Sequence, residues 1–521
     1  MKPDSISQIF KKSWFPYFMW GIWIIALIMR FWHLDRFNTL VFDEYHFAKF
    51  ARYYLGGIEF SDGHPPLSKF MIAVGIWLHS QFLILTGQLD PSKMCTIDAF
   101  GYRWINAVEG SFLPLLVGGV AYELGKLCRI KIDDRERFAV IAALLLLLDG
   151  LYLVESRYAL TNIHLLFFGF LGLYLFFRGV ALRGKALWFR RSSLIAVAGL
   201  MFGCSAAVKW NGLGFLGGAI GTWVLALSVY FVWSFFGHAK GNQINRFFYP
   251  IVRIGNVSRI GTFLSMTLLP ALIYFAIWVP HIQITQKPDQ VTLAMLLKEQ
   301  TNIFEYHKAI AAMGGNDSKV HPYCSAWYKW PLMLRTIGYF YEQHDSLSQY
   351  AHLEIKPLVK QAPYIYDVHG MGNPFLFWFA TFSLLVSLYI FDKKVFLAIL
   401  ALKDHLVGQF SIAGLLSPTL WIYGFLIGNF VLNILPWLKI DRCTFLYHYM
   451  PSAAFSFIIL AWFLSSMLSD KRHLFWRFTA AIMLLIVFAG FVIWSPIFYG
   501  LPLDTAQWDF IMKPFKYDGW V

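Results

Sequence analysis

Apolar runs long enough to cross a membrane recur along the whole of this 521-residue chain. Its composition is 58% hydrophobic and only 14% charged, whereas a soluble domain carries about 25% charged residues. A helix needs about 20 mostly apolar residues to span the hydrocarbon core of a bilayer. The sequence therefore predicts an all-α polytopic membrane protein and excludes a soluble enzyme.

The positions of the positive charges predict the topology. Lys2, Lys11 and Lys12 precede the first apolar run, 14–32, which places the N-terminus in the cytoplasm. The formal net charge of +14 comes from Lys and Arg that gather in the predicted cytoplasmic loops, where they fix topology and meet anionic lipid, so it does not imply nucleic acid. About eleven spans result, with the C-terminus outside.

Two apolar runs are interrupted by polar residues and are predicted to lie along a membrane surface. The run 67–86 contains Lys69, and if it spanned it would move the basic segment 126–137 to the outside. Whether it spans stays open. The run 395–416 is broken by Lys403, Asp404 and His405 and is predicted to lie on the cytoplasmic surface.

The predicted spans divide the chain into three parts. Residues 1–280 form an N-terminal transmembrane module with a first external loop at 34–102. Residues 281–372 form a long external loop, and residues 373–521 form the C-terminal transmembrane helices with a short external tail. The aromatic run 323–330 in the long loop either helps to hold an acceptor or packs at the interface.

Two adjacent carboxylates, Asp43 and Glu44, follow the first apolar run, and His64 follows in the stretch 62–66. Ionisable groups at a membrane boundary are costly unless backbone, water or a substrate compensates them, so they predict a functional site. The simpler interpretation is an acidic turn that marks where the helix leaves the bilayer.

Once the cytoplasmic basic loops are set aside, a second set of ionisable residues remains at the outer ends of the helices. Its members are Asp43, Glu44, His46, His64, Arg103, Glu155, Arg157, Lys209, Arg442 and His448. A carboxylate can deprotonate an attacking hydroxyl, and cations can hold a departing phosphate. The set therefore suits transfer of a group carried on a lipid phosphate.

Some members have a simpler explanation. Arg103 could be a snorkelling anchor at the start of a helix. Glu155 and Arg157 could pair with each other, and Lys209 beside a tryptophan could be an interface anchor.

The chain has no Walker A loop and no dinucleotide fingerprint, so no cofactor is expected. No histidine pair stands at metal-binding helical spacing near the carboxylates, although a metal at Asp43 and Glu44 stays open. The five cysteines are an odd number, which argues against a complete disulfide framework. Five histidines of the long loop are expected to be solvated or packed within it: His281, His307, His321, His344 and His369.

Several of these motifs resemble those of the protein O-mannosyltransferases, glycosyltransferase family 39. The first external loop resembles that of the family in two stretches, 42–47 and 64–69, with Ser68 where the family usually has Gly. The likeness continues in order through Arg103, Glu155–Arg157, Lys209-Trp210-Asn211-Gly212, and the stretch from Arg442 through Tyr447 and His448 to Pro451.

The resemblance implies a GT-C glycosyltransferase fold and inverting transfer of mannose from a polyprenyl-phosphate donor. The acceptors would be Ser or Thr hydroxyls of secreted or membrane proteins, which a translocon could deliver. Asp43 and Glu44 would be catalytic, and the remaining residues of the set, with Asn211 and Tyr447, would bind substrate. Arg103, Lys209 and Arg442 would serve the lipid phosphate. The site would face the external or periplasmic side of a bacterial plasma membrane.

Two departures from the family pattern matter. The segment 281–372 is too short for the β-trefoil MIR domain that eukaryotic members carry, so the chain resembles a bacterial member. Asn162 stands where many relatives have an acidic residue, which leaves the donor sugar open. One alternative is a GT-C glycosyltransferase that moves another sugar onto a lipid or glycan. A transporter fits less well, because the ionisable groups lie at the outer ends of the helices rather than at mid-membrane.

Overall fold

The computed structural model describes residues 14–93, 98–182, 184–236, 250, 253–254, 257–312, 321–345, 363–406, 419–440 and 442–513. Several features of the predicted topology lie outside these residues: the three N-terminal lysines, the end of the run 395–416, and the tail after residue 513.

The described residues are mostly helical. In chain order the helices are α1 (Phe15–Phe31), α2 (Glu44–Gly56), α3 (Leu67–Leu85), α4 (Ala99–Leu127), α5 (Ile132–Leu147), α6 (Gly150–Arg157), α7 (Thr161–Ala181), α8 (Trp188–Val208), α9 (Leu213–Phe236), α10 (Arg259–Thr285), α11 (Leu293–Ala312), α12 (Pro374–Leu406), α13 (Thr419–Ile434), α14 (Met450–Ser469), α15 (Leu474–Tyr499) and α16 (Thr505–Met512).

Ten of the described helices are long and apolar enough to cross a membrane, which confirms the polytopic prediction. The helices α5 and α6 bend by 61° at the break between them and together would make an eleventh span. The first predicted run corresponds to α1, which is apolar but only 17 residues long. Helix α3 is also long and apolar enough to cross a membrane. Its predicted location along the membrane surface therefore stays a prediction.

Helix α12 corrects one predicted boundary. The sequence predicted a separate surface segment that begins at residue 395, whereas one continuous helix runs from Pro374 to Leu406. It passes through Asp392-Lys393-Lys394 without a break. Lys is a good helix former and neither Gly nor Pro occurs there, so the backbone hydrogen bonds continue where the hydrophobicity falls.

The core of the bundle surrounds α14, which is apolar and buried on almost every side. Its ring contacts reach three neighbouring helices: Trp462 packs on Phe138, Phe457 on Phe377, and Phe455 on Phe425. At the periphery, α10 and α15 expose large apolar side chains. In a bilayer those faces contact lipid rather than water.

A small sheet and a disulfide connect the segment 281–372 to the bundle. Strands β1 (Ile337–His344) and β2 (Tyr364–Gly370) pair antiparallel, with a register irregularity between Gly338 and Phe340. Cys324 and Cys443 form a disulfide, a pairing that the odd cysteine count did not predict. The attachment brings Tyr339, on β1, to the end of the bundle that carries Asp43, where it is buried.

Candidate active site

Glu44 and Arg103 form a buried ion pair at the start of α2. Glu44 Oε1 accepts hydrogen bonds from Arg103 Nε at 2.8 Å and Ala159 N at 2.8 Å. Glu44 Oε2 accepts from Arg103 Nη2 at 2.7 Å and Val41 N at 2.9 Å. With both oxygens doubly occupied and the side chain fully buried, Glu44 is not placed to act as a base.

The remaining N–H donors of Arg103 bond to backbone carbonyls between α1 and α2. Its Nη1 donates to Leu34 O at 3.1 Å and Phe37 O at 3.0 Å, and its Nη2 also donates to Thr39 O at 3.0 Å. A guanidinium has five N–H donors, and these contacts use all of them. The expectation that Arg103 binds the lipid phosphate does not agree with this arrangement, because no donor is left for it.

Asp43 is in the opposite situation to Glu44. It is the residue before α2, its side chain makes no capping bond, and no described residue donates a hydrogen bond to its carboxylate. Burial raises the pKa of Asp43, while the nearby Lys209, His46 and His321 act to lower it. A carboxylate with a raised pKa and a free oxygen is suited to accept a proton.

The turn that presents Asp43 is held in an uncommon conformation. Phe42 has φ of +51°, in the left-handed region that bulky side chains rarely adopt. Its ring stacks on Tyr339 with 4.5 Å between centroids and an interplanar angle of 8°. Such strain persists only where the surrounding structure holds it, so the stack on Tyr339 helps to fix the direction of Asp43.

A chain of hydrogen bonds leads from the sheet to Lys209. Tyr339 Oη donates to Glu155 Oε1 at 2.5 Å, and Asn162 Nδ2 donates to Glu155 Oε2 at 3.1 Å. Lys209 Nζ in turn donates to Asn162 Oδ1 at 2.9 Å. This series of hydrogen bonds engages one N–H of the Lys209 ammonium group and so fixes the orientation of that group.

Lys209 enters the site through a sharp turn between α8 and α9. Its backbone is extended, with φ of −151° and ψ of 147°, and its side chain is buried. The turn requires Gly212, since a Cβ there would lie 2.4 Å from Ser205 O. Lys209 Nζ also lies 5.3 Å from the ring centroid of Tyr447, which is close enough for a cation–π contact.

The stretch 62–66 is fixed by Lys69, which contacts the Asp62 carboxylate and donates to His64 O at 2.7 Å. The His64 ring lies 5.5 Å from the ring of His307. Burial, with Lys209 and Lys69 adding to it, holds the pKa of His64 well below its usual range. His64 is therefore a neutral hydrogen-bonding group at neutral pH.

The structure brings several of the predicted residues within electrostatic range of one another. Lys209 interacts with Asp43, Glu155 and Arg442. Arg442, next to the disulfide, also acts on His64. Three further predicted residues differ in their exposure: His46 is exposed, Asn211 is half-buried in the turn after Lys209, and Tyr447 is buried.

Two predicted substrate-binding residues belong instead to the framework. Arg157 donates to Arg30 O at 3.0 Å, Trp32 O at 2.7 Å and His33 O at 3.0 Å, which caps the end of α1. It does not pair with Glu155, whose oxygens bond Asn162 and Tyr339.

His448 is the second of them. It is 6% exposed, and Phe445 N donates to its Nδ1 at 3.0 Å. Its ring packs 4.1 Å from that of Trp437. It therefore orders the segment before α14 rather than facing a substrate.

The histidines of the long segment are less exposed than expected. His281 is buried in α10 and its Nδ1 lies 2.7 Å from Tyr54 Oη, and His369 is buried 2.6 Å from Asp367 Oδ1. His369 is thus packed within the long segment, which was one of the two expectations, whereas His281 packs on Tyr54 outside it, which neither expectation described. No group of three or more His, Cys, Asp or Glu that could hold a metal ion occurs within the described ranges.

Tyr339 is the main residue that sequence reasoning missed. It lies 184 positions from Glu155, with no motif around it, so no pattern in the chain marked it. Asn162 was noticed only as a departure from a family pattern.

Two family models match the chain. The model described as dolichyl-phosphate-mannose-protein mannosyltransferase matches residues 20–285. The model described as the C-terminal four TMM region of protein-O-mannosyltransferase matches residues 296–513. Together they extend from the first apolar helix to the last described one.

Curated relatives carry similar names. The chain is 23% identical over 541 residues to the polyprenol-phosphate-mannose–protein mannosyltransferase of Mycolicibacterium smegmatis, covering 93% of this chain and 89% of the relative. It is 30% identical over 192 residues to dolichyl-phosphate-mannose–protein mannosyltransferase 6 of Saccharomyces cerevisiae, covering 36% of this chain and 24% of the relative. The chain thus matches about a quarter of the length of that yeast relative.

A solved structure shares the fold. The S. cerevisiae protein O-mannosyltransferase complex bound to the sugar donor superimposes with a TM-score of 0.68 at 13% identity, covering 95% of this chain and 92% of that chain. The predicted GT-C architecture is confirmed.

Proposed function

Because the chain belongs to the dolichyl-phosphate-mannose-protein mannosyltransferase family, we propose that it transfers mannose from a polyprenyl-phosphate donor to Ser or Thr hydroxyls of translocated proteins. The transfer inverts the anomeric centre and takes place at the outer face of a bacterial plasma membrane. The acceptors are secreted or membrane proteins, and the reaction needs no cofactor.

One observation carries the proposal: Asp43 and Glu44 are adjacent carboxylates with opposite surroundings. Glu44 accepts four hydrogen bonds from the protein, whereas no described residue donates to Asp43. Burial raises the pKa of Asp43 and so increases its affinity for a proton. Asp43 is therefore the base, and Glu44 is a positioning residue that fixes the turn before it.

The reaction is a single displacement. Asp43 takes the proton of the acceptor hydroxyl while that oxygen attacks the anomeric carbon of the mannose. The bond between the anomeric carbon and the phosphate oxygen breaks, and its electron pair leaves with the polyprenyl phosphate. Lys209 and Arg442 stabilise the negative charge that appears on the departing phosphate.

The hydrogen-bond chain from Tyr339 gives Lys209 its part in this step. An ammonium on a flexible stem must be ordered before it can stabilise a transition state without reorganising. Asn162 holds Lys209 at 2.9 Å and is itself held by Glu155. The cation is therefore in position before the phosphate begins to leave.

Two observations support an outer location. The disulfide between Cys324 and Cys443 stands beside Arg442, and disulfides persist in oxidising compartments outside the cytoplasm. The basic segment 126–137 lies at the other end of α4 from Arg103, as the positive-inside rule requires if the site is external.

The test measures transfer of radiolabelled mannose from polyprenyl-phosphate mannose to a Ser/Thr-rich peptide by the purified protein in detergent. Asp43→Asn should abolish most of the transfer while donor binding persists. Asp90→Asn is the matched control, because Asp90 is an exposed carboxylate of the same predicted external loop.

Transfer by Asp43→Asn at the wild-type rate would exclude Asp43 as the base. An intact wild type that binds the donor and labels a lipid or glycan instead of the peptide would overturn the protein acceptor. Transfer from another polyprenyl-phosphate sugar but not from mannose would overturn the donor.

A further inference from the structure

Helix α11 packs against the stretch 62–66, which carries the predicted site residue His64. The Tyr306 ring lies so close to Gly63 that a Cβ on that glycine would stand 2.1 Å from two ring carbons. The ring of the next residue, His307, lies 5.5 Å from the ring of His64. His307 was expected to be solvated or packed within the long segment, and it packs on a residue outside that segment instead. The helix therefore brings a further histidine to the candidate active site.

The two ring nitrogens of His307 differ in their partners. The backbone of Gly63 forms a hydrogen bond with the ring. Nδ1 is buried and has no hydrogen-bond partner among the described residues, so Nε2 forms this bond. The bond acts to raise the pKa of His307, which is the effect of an acceptor on an imidazole, so the Gly63 carbonyl receives the hydrogen of Nε2. In a neutral imidazole, Nδ1 is then an acceptor without a hydrogen.

The surroundings of His307 keep its ring neutral. Burial lowers the pKa of His307, and Arg442 and Lys209 lower it further, whereas Asp62 acts to raise it. The net result is a pKa below the ordinary value of histidine, so the ring is unprotonated at neutral pH. Nδ1 therefore presents a lone pair rather than an N–H to a ligand that binds beside it.

The state of Nδ1 defines the chemistry of its partner. A buried acceptor without a donor is unfavourable, and a ligand that carries an O–H removes that cost. The oxygens of an ionised phosphate diester are acceptors, so the lone pair of Nδ1 does not bond them. A sugar carries several hydroxyl groups, and each of them is a donor. Of the two parts of a polyprenyl-phosphate sugar headgroup, Nδ1 therefore matches the sugar.

The position of His307 relative to two cations agrees with this choice. Arg442 and Lys209, to which the proposed function gives the donor phosphate, both act on the rings of His307 and His64. The sugar is joined directly to that phosphate, so its hydroxyl groups lie a few bonds from the two cations. We propose that His307 Nδ1 accepts a hydrogen bond from a hydroxyl group of the donor sugar, an inference that rests on the proposed function for the identity of the donor.

Two amide variants separate the roles of the two ring nitrogens. The side-chain amide of Gln reaches the position of Nε2, so His307→Gln keeps a donor for the Gly63 carbonyl and removes the acceptor at Nδ1. The amide of Asn reaches the position of Nδ1, so His307→Asn keeps an acceptor there and removes the bond to Gly63. Lys308→Met is the control, because Lys308 is the next residue on α11 and its exposed side chain pairs with Glu305 at 3.6 Å.

The experiment measures binding of radiolabelled polyprenyl-phosphate mannose to the purified full-length protein in detergent, with polyprenyl phosphate as the probe that lacks the sugar. His307→Gln should bind the mannose donor about tenfold more weakly than the wild type, within the range expected for one hydrogen bond, and should bind polyprenyl phosphate equally well. His307→Asn should bind the mannose donor more tightly than His307→Gln, because it keeps the acceptor. Lys308→Met should bind both probes like the wild type.

Four results would overturn the proposal. Equal binding of the mannose donor by His307→Gln and the wild type would show that Nδ1 does not contact the sugar. An equal loss for polyprenyl phosphate would move the contact to the phosphate. Weaker donor binding by His307→Asn than by His307→Gln would show that the ring only holds Gly63. In transfer assays, a raised KM for the peptide alone would assign the hydroxyl group to the acceptor.

The binding measurement distinguishes this inference from the proposed function, since donor binding does not require transfer. The expected loss in His307→Gln together with a wild type that labels no peptide would support the inference and contradict the protein acceptor. Transfer to the peptide by a wild type whose donor affinity equals that of His307→Gln would support the proposed function and overturn the inference.

Discussion

The Arg103 guanidinium donates to both oxygens of the Glu44 carboxylate, from Nε to Oε1 at 2.8 Å and from Nη2 to Oε2 at 2.7 Å. This bidentate pair joins α4 to the start of α2 and is almost completely buried. It fixes the backbone of the turn that ends in Asp43. The two adjacent carboxylates therefore have different surroundings: Glu44 is bound by the protein, whereas no described residue donates a hydrogen bond to the carboxylate of Asp43.

We expect Arg103→Ala to unfold more easily than the wild type. Removing one partner of a buried ion pair leaves the other charge uncompensated, which costs about 3–5 kcal/mol. Thermal unfolding in detergent measures the loss, and Arg52→Ala, an exposed arginine on α2, is the control. An Arg103→Ala protein with the wild-type Tm and a raised KM for the donor would restore Arg103 as a phosphate ligand.

The pH dependence of transfer should report Asp43. The base must be ionised, and burial raises its pKa, so kcat/KM should rise with pH through a midpoint above the range of an ordinary aspartate. Asp43→Asn should lower kcat/KM by at least about 10²-fold, within the usual contribution of a general base. A midpoint in the ordinary aspartate range would contradict the buried base.

Asp43→Asn should be more stable than the wild type at neutral pH, although it is less active. A carboxyl group whose folded pKa is raised stabilises the fold below its unfolded pKa, and that contribution is lost as pH rises through the folded pKa. Asp43→Asn should therefore gain Tm relative to the wild type at neutral pH and not at acid pH. Unfolding scans across that range test this, and an equal difference at every pH would reject it.

Tyr339→Phe should weaken both the fold and the donor site. Without the Tyr339 hydroxyl, Glu155 Oε1 loses its donor, and a buried unsatisfied group costs about 1–3 kcal/mol. The loosened Glu155 holds Asn162 and Lys209 less firmly, so KM for the donor should rise. Tyr341→Phe is the matched control, since Tyr341 is exposed on the same strand. Equal kinetics of the two variants would show that the hydrogen-bond chain does not act on the donor.

Lys209→Met should keep much of the packing but remove the cation. We expect a loss of about 10²–10³ in kcat, typical of removing one group that stabilises a developing negative charge. Lys298→Met, an exposed lysine on α11, is the control. A Lys209→Met enzyme with a wild-type kcat would leave the departing phosphate to Arg442.

Cys443→Ser should destabilise the segment that carries Arg442. A disulfide that closes a long loop contributes about 2–5 kcal/mol, and this one joins residues 119 positions apart. We expect a lower Tm and a raised KM for the donor, with Cys204→Ser as the control because Cys204 is a free buried cysteine. Reductant should lower the Tm of the wild type and leave that of Cys443→Ser unchanged.

The spans were predictable because membrane insertion is a local property of the sequence. A transmembrane helix satisfies its own backbone hydrogen bonds and needs only apolar side chains toward lipid. The predicted run 14–32 accordingly corresponds to Phe15–Phe31. The predicted surface segment from residue 395 is not separate but continues α12, because the ends of helices depend on backbone continuity and not on hydrophobicity alone.

The sequence by itself determined that Asp43 and Lys209 share one end of the bundle, since topology fixes the membrane depth of each helix end. Only the tertiary structure decided what each charged residue does. Of the donors that occupy Glu44, Val41 is only three residues away, but Arg103 and Ala159 lie 59 and 115 positions away, and no local pattern relates those two to Glu44. Arg103 and Arg157 bind mostly backbone carbonyls, which every residue possesses and no sequence motif reveals. The choice between two adjacent carboxylates is therefore made by packing.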